Sequence, residues 1–63
     1  MYYVLHRPHG TEKPWLEQPY RSRKDARTAL TTLVAQRDPE GNRLCDAKLC
    51  VGKGRDRRDI VIL

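Results

Sequence analysis

SRKDARTALTTLVAQ, residues 22–36, carries the clearest structural pattern in the sequence. Ser22 followed three residues later by Asp25 matches a capping box, in which the hydroxyl binds a free backbone N–H and the carboxylate lies in the first turn. Pro39 disfavours helical geometry at the preceding residue, so the helix ends before a turn at residues 38–42, DPEGN. Apolar residues recur between these signals at helical spacing; they are Ala26, Ala29, Leu30, Leu33 and Val34. The segment predicts an amphipathic helix whose apolar face must be covered by another element.

Two segments before this helix have the composition of β-strands. Residues 2–7, YYVLHR, are rich in aromatic and β-branched types and predict a strand with both faces partly buried. After a turn-rich break, residues 15–20, WLEQPY, predict a second strand. Pro19 has no N–H to donate to a ladder, so we expect this strand to be short and to lie at a sheet edge.

Two further strands are predicted after the helix. Residues 44–51, LCDAKLCV, alternate as a half-buried strand does, and residues 60–63, IVIL, form a fully apolar strand. The charged residues 52–59 between them, GKGRDRRD, contain two glycines and suit a hairpin connection.

This element order predicts one α+β domain over residues 1–63, a small four-stranded, mainly antiparallel sheet with one helix on one face (ββαββ). A single helix covers only one face, yet residues 2–7 and 60–63 are apolar at successive positions. Either the second face docks on another chain, or its apolar side chains are ordinary surface. At 63 residues the chain is near the size where a monomer is marginal, which makes a partner physically plausible.

The composition is strongly basic. Thirteen Lys and Arg against eight Asp and Glu give a formal charge of +5, which favours nucleic acid or an acidic protein surface as the partner. The N-terminal apolar run is too short for a signal peptide, and no stretch is long and apolar enough for a membrane span. We therefore expect a soluble, cytoplasmic protein with no membrane partner.

Eight of the positive charges fall into two clusters, which we take as the candidate partner- or phosphate-binding residues. The first cluster is Arg21, Arg23, Lys24 and Arg27 at the helix start, and the second is Lys53, Arg55, Arg57 and Arg58 in the last connector. Cations at a helix N-terminus interact unfavourably with the helix dipole, so their placement there suggests a binding role. A phosphate or carboxylate bound there would be held by backbone N–H groups and arginines together. The alternative is a solvated face that only keeps the protein soluble.

Four aromatic residues lie outside these clusters, and they are Tyr2, Tyr3, Trp15 and Tyr20. They could stack on unpaired bases beside the basic residues. The chain has no Phe to fill its interior, so we instead expect Trp15 and one of Tyr2 and Tyr3 to belong to the core.

No catalytic, cofactor or metal site is predicted. His6, His9, Cys45 and Cys50 make a nominal zinc set, but an odd separation puts the two cysteines on opposite faces of a strand. They are then too far apart for a disulfide, and reduced, structural thiols are expected. The residues 52–54, GKG, lack the spacing of a phosphate loop, and no nucleophile–base arrangement is evident. We do not expect an enzyme.

In layout the chain resembles small phage-encoded inhibitors, such as certain anti-CRISPR proteins and inhibitors of host RNA polymerase. The resemblance covers the order of a YYVLHR strand, a WLEQPY strand, a capped SRKDARTAL helix and two closing strands. It implies a non-catalytic domain that docks on and inhibits or modulates a larger nucleic-acid-handling protein complex in the host cell cytoplasm, and it carries over no functional residue. Two alternatives stay open: a direct DNA- or RNA-binding module that uses the same arginines, and a homodimeric structural subunit whose sheet face packs on its own copy.

Overall fold

The computed structural model describes residues 1–52 and 54–62. Within these residues the chain forms one α-helix, one short 3₁₀ helix and one four-stranded sheet; in order the elements are β1 (Tyr2–Pro8), β2 (Leu16–Tyr20), α1 (Arg23–Ala35), β3 (Cys45–Val51), the 3₁₀ helix (Gly54–Asp56) and β4 (Arg58–Ile62). Every neighbouring pair of strands is antiparallel, and the order across the sheet is β2-β1-β3-β4. The helix packs on one face of this sheet. The predicted small α+β fold is confirmed.

The start and end of α1 follow from local sequence. Ser22 is the N-cap, and its hydroxyl accepts a hydrogen bond from the Asp25 backbone N–H at 3.4 Å. After the helix, the Gly41 N–H donates to the Asp38 carbonyl at 2.9 Å and closes the predicted turn. Gly41 has a φ of +87°, a left-handed conformation that glycine adopts without steric cost.

The core lies between α1 and the middle of the sheet. Its fully buried members are Val4, Ala26, Leu30, Ala47 and Leu49, and the side chains packed around them include Tyr2, Tyr20, Ala29, Leu33, Val34 and Ile60. The predicted apolar stripe of the helix is therefore the face that meets the sheet. Tyr2 is the tyrosine of the Tyr2 and Tyr3 pair that packs on this core. The expectation for Trp15 is wrong, because its partly buried ring lies outside the core cluster.

The two outer strands are β2 and β4. Pro19 lies in β2 opposite Tyr3, and its missing N–H is harmless there because β2 has a neighbour on one side only. The edge position predicted for this strand is confirmed. The first residue predicted for it, Trp15, instead precedes the strand.

The connection from β3 to β4 is tighter than predicted. Gly52 has a φ of +98°, and a Cβ atom there would lie 2.7 Å from the Asp56 carbonyl oxygen, so the turn requires glycine. Because the turn closes early, β4 begins at Arg58, and Ile60 is an extra residue in a bulge opposite Leu49 and Cys50. Two residues of the predicted connector and last strand, Lys53 and Leu63, lie outside the described residues.

Candidate functional site

The two predicted basic clusters meet at one end of the sheet. Tyr20, Tyr2, Val51 and Arg58 are consecutive partners across the four strands and form one row at this end. After Tyr20 the chain continues into the start of α1. After Val51 it continues into the β3–β4 connector, which leads back to the row at Arg58. Three inter-strand gaps place the two edges of the row about 14 Å apart. Clusters that are far apart in sequence therefore share one end of the molecule.

The net charge of the protein is concentrated at this end. Residues 21–27 carry four positive side chains and one negative, and residues 54–58 carry three positive and one negative. These twelve residues thus have a net charge of +5, whereas the other described residues have a net charge of −1. The molecule is strongly polarised rather than uniformly basic, which favours approach of a polyanion from one direction.

Six cations at this end are exposed, and we refer to them together as the basic end; they are Arg21, Arg23, Lys24, Arg27, Arg55 and Arg58. Among the described residues none of their charged groups has an ion-pair partner. Their positive fields therefore add, and their charged groups are available to an external anion.

Arg57 differs from its neighbours. Its guanidinium carbon lies 4.6 Å from the centre of the Tyr3 ring, and its Nη1 forms an ion pair with the Glu17 carboxylate. These contacts hold the side chain on the sheet face opposite α1, which we call the open face. Of the eight predicted site residues, Arg57 is thus engaged within the fold, and Lys53 lies outside the described residues.

The outward face of α1 continues the basic end along the helix. Arg23, Lys24 and Arg27 lie in its first two turns, and Thr28, Thr31 and Thr32 follow them along the helix. These six side chains line a shallow, open groove on the surface. No carboxylate is among these six residues, so every charged group that lines the groove is positive.

Two of the threonines are bonded back to the helix. The Thr28 hydroxyl donates to the Lys24 carbonyl at 3.0 Å, and the Thr32 hydroxyl donates to the Thr28 carbonyl at 2.9 Å. Their protons are used within the chain, while their oxygen lone pairs remain available as acceptors. The three groove threonines are not among the predicted site residues, although their helical spacing beside Arg27 is visible in the sequence.

The open face is covered by the chain's own charged and aromatic side chains. The Trp15 ring lies 4.3 Å from the Arg7 guanidinium carbon and 5.1 Å from the Lys48 ammonium nitrogen. Lys48 Nζ also lies 3.7 Å from a carboxylate oxygen of Asp59. Leu5, on the same face, is only 9% exposed. The described part of this face is therefore not the bare apolar surface that the strand sequences suggested.

The charges of the open face also balance. Its cations are Arg7, Lys48 and Arg57, and its anions are Glu17, Asp46 and Asp59. Asp46 accepts a hydrogen bond from His9 Nδ1 at 2.6 Å, and this bond lowers the pKa of the Asp46 carboxyl below its ordinary value. Because three cations are matched by three anions, this face does not extend the positive field of the basic end.

The two cysteines lie on opposite faces of β3, as predicted, and both are buried free thiols. Cys45 Sγ donates to the Leu33 carbonyl at 3.3 Å on the helix side. Cys50 Sγ donates to Asp59 Oδ1 at 3.0 Å on the open face. Burial, together with this carboxylate, raises the pKa of the Cys50 thiol to about 11. Within residues 1–52 and 54–62, no group of three or more His, Cys, Asp or Glu side chains is arranged to hold a metal ion.

Comparisons with protein-family models, with curated proteins and with solved structures gave no match for this chain. In the part of the chain that the structure describes, no helix has the length and apolar character needed to cross a membrane.

Proposed function

We propose that this protein is a non-catalytic binding protein whose basic end contacts the phosphate backbone of nucleic acid. One observation carries the proposal: six exposed cations without ion-pair partners, drawn from two distant segments, gather at one end of the fold. Phosphate contacts by Lys and Arg supply most of the sequence-independent affinity of nucleic-acid-binding proteins. Such contacts need exposed, unpaired cations spread over a surface, and this is the arrangement at the basic end.

The location of the cations further supports a phosphate partner. An anion beside the first turn of α1 is favoured by the helix dipole, and the arginines around that turn supply bidentate donors. Phosphate binding would thus offset the unfavourable placement of Arg23 and Lys24 against the dipole. Six of the eight negative side chains lie outside these two segments, and the other two, Asp25 and Asp56, form no ion pair among the described residues.

A salt titration with a charge-reversal variant tests the proposal. With six phosphate contacts, affinity for a fluorescein-labelled nucleic acid is expected to fall by about a thousandfold between about 50 and 200 mM salt. Arg27→Glu should weaken binding by about tenfold at low salt and flatten the salt dependence. Lys13→Glu is the matched control, because it makes the same charge change in the exposed loop before β2. Equal losses in the two variants, or no binding at low salt, would contradict the proposal.

The second candidate is an acidic surface on a nucleic-acid-handling protein complex, in the inhibitory mode that the resemblance to small phage-encoded inhibitors implies. The rings of Tyr3 and Trp15 are already in contact with cations of this chain. They are therefore poorly placed to stack on bases beside the basic end, which favours this candidate. A protein complex that stays bound to the tagged protein after nuclease treatment, and is lost with Arg23→Glu/Arg27→Glu, would favour this candidate. Loss of all bound material on nuclease treatment would favour direct nucleic-acid binding.

A further inference from the structure

We infer that the outward face of α1 docks in the major groove of a B-form DNA duplex. The inference rests on the proposed function and adds the form of nucleic acid and the element that enters it. It is carried by three features of the structure: the absence of a free aromatic ring, the shape and chemistry of the outward helix face, and the position of the connector arginines.

All four aromatic rings of the chain are engaged within the fold. Tyr2 and Tyr20 pack against the core, and Tyr3 and Trp15 hold the cations of Arg57, Arg7 and Lys48 on the open face. Proteins that bind single strands stack successive bases on exposed aromatic side chains. Each ring is partly buried and already in contact within the fold, so a base-paired partner fits better than a single strand.

The outward face of α1 has the dimensions and the side chains that a DNA groove admits. An α-helix with its side chains is about 10–12 Å wide, and the B-form major groove is about 12 Å wide. Thr28, Thr31 and Thr32 are short, so the helix backbone can approach the floor of the groove. Threonine hydroxyl oxygens and methyl groups are suited to base edges and thymine methyl groups there. The deep, narrow major groove of A-form RNA excludes a helix, so the fit is specific to DNA.

The long cations lie where the bordering phosphates would be. Arg23, Lys24 and Arg27 occupy the first half of the helix, and Arg55 and Arg58 lie at the same end of the fold in the β3–β4 connector and at the start of β4. In this arrangement phosphate contacts fix the orientation of the helix, while the threonines face the bases. The open face, whose charged side chains are paired within the chain, points away from the duplex.

The first test compares three fluorescein-labelled probes of one sequence by fluorescence anisotropy: a DNA duplex, one of its strands, and the corresponding RNA duplex. The DNA duplex is expected to bind more tightly than either other probe by about tenfold or more. Equal affinity for the single strand or the RNA duplex would overturn the groove inference and leave the proposed function intact. Failure to bind any of the three probes at low salt would overturn both.

The second test places one negative charge on the outward helix face. Thr31→Glu is expected to weaken binding to the DNA duplex by about tenfold, because a carboxylate would face the phosphates and base acceptors of the groove. Gln18→Glu adds the same charge at an exposed position of the edge strand β2, and should change affinity less than about twofold. Circular dichroism checks that both variants are folded. Equal effects of the two substitutions would overturn the inference.

Amide chemical shifts of the unaltered protein give a third measurement that does not depend on any variant. On addition of the DNA duplex, the largest shift changes are expected in residues 23–32 of α1. Changes concentrated at Tyr3, Arg7 and Lys48 would place the DNA on the open face and overturn the inference.

Discussion

Cys50 shows how the surroundings of one side chain determine its reactivity. The thiol is 1% exposed, and its Sγ donates to Asp59 Oδ1. Burial and the nearby carboxylate both disfavour the thiolate, and the pKa of the thiol rises from 9.0 to about 11. The nucleophilic form is therefore scarce at neutral pH.

We predict that Cys50 resists alkylation in the folded protein. Iodoacetamide at mildly alkaline pH should label it far more slowly in native buffer than in urea, with the site read by mass spectrometry of peptides. Because the folded pKa is raised, the associated stability is present below pH 9.0 and is lost as the pH rises towards about 11. Rapid labelling in native buffer would show that the thiol is accessible.

Asp38 organises the turn after α1 with a single side chain. Its Oδ1 accepts the backbone N–H groups of Glu40 and Asn42, each at 2.9 Å. The bond from the Asn42 backbone is the largest of several that lower the pKa of the Asp38 carboxyl below its ordinary value of 3.8. These bonds favour the ionised form, so the turn is best held when Asp38 is charged.

We predict that Asp38 contributes to acid sensitivity. A carboxyl with a lowered folded pKa adds stability above its ordinary pKa of 3.8, and this stability is lost as the pH falls through the lower folded value. Asp38→Ala should lower the free energy of unfolding at neutral pH and reduce its loss on acidification, measured by urea titration. Glu12→Ala is the control, because Glu12 is exposed and has no hydrogen bond or ion pair among the described residues. The same pH dependence in both variants would contradict this role.

At the scale of the element, α1 is held by its apolar stripe. Leu30 is 2% exposed and packs between the helix and the sheet with Val4 and Leu49. We predict that Leu30→Ala lowers the free energy of unfolding by about 2 to 5 kcal/mol. In a domain this small, such a loss is a large share of the total stability, and the variant could unfold.

Leu16→Ala is the matched control for that prediction. Leu16 is 60% exposed in the edge strand β2, so the same truncation there should change stability by less than about 0.5 kcal/mol. Thermal and urea unfolding followed by circular dichroism would measure both variants. Comparable losses at the two positions would mean that α1 does not form the core with the sheet.

The elements differ in how far sequence predicts them. The helix was predictable because its signals are local: Ser22 caps it, and its apolar residues recur at helical spacing. The sheet was predictable in its strands but not in its register, since pairing joins residues far apart in sequence. The position of Trp15 depends on that register, which brings Arg7 and Lys48 beneath one ring. Composition alone predicts a core position for the ring, and the structure corrects this prediction.

The basic end was also predictable only in part from the sequence. Its residues were predictable as two charge clusters, but their meeting at one end follows from the pairing of Tyr2 with both Tyr20 and Val51. The separate role of Arg57 also needed the fold, because its partners Tyr3 and Glu17 lie in other strands. Sequence therefore identified the cations, and the sheet register determines which of them lie together.

At the scale of the whole molecule, the surface argues against self-association. A dimer through the open face would remove the Arg57–Glu17 and Lys48–Asp59 ion pairs from water, and this desolvation costs free energy. Pairing along β2 is hindered by Pro19, which cannot donate a hydrogen bond to another strand. Two copies that meet through the basic end would repel each other.

We predict a monomer of 7.4 kDa at micromolar concentration and moderate salt. Sedimentation velocity gives the mass directly, and a series of protein concentrations separates a stable monomer from a weak dimer. A species of twice this mass that persists on dilution would instead support the homodimeric alternative.

The position of Trp15 has a practical consequence. It is the only tryptophan of the chain, and it lies on the open face, on the far side of the sheet from α1. Tryptophan emission therefore gives the protein an intrinsic optical reporter, sensitive to whether Arg7 and Lys48 stay stacked on the indole. A ligand on the outward face of the helix should leave this emission nearly unchanged, whereas unfolding, or a ligand on the open face, should change it. One unlabelled titration can thus distinguish the two faces of the molecule.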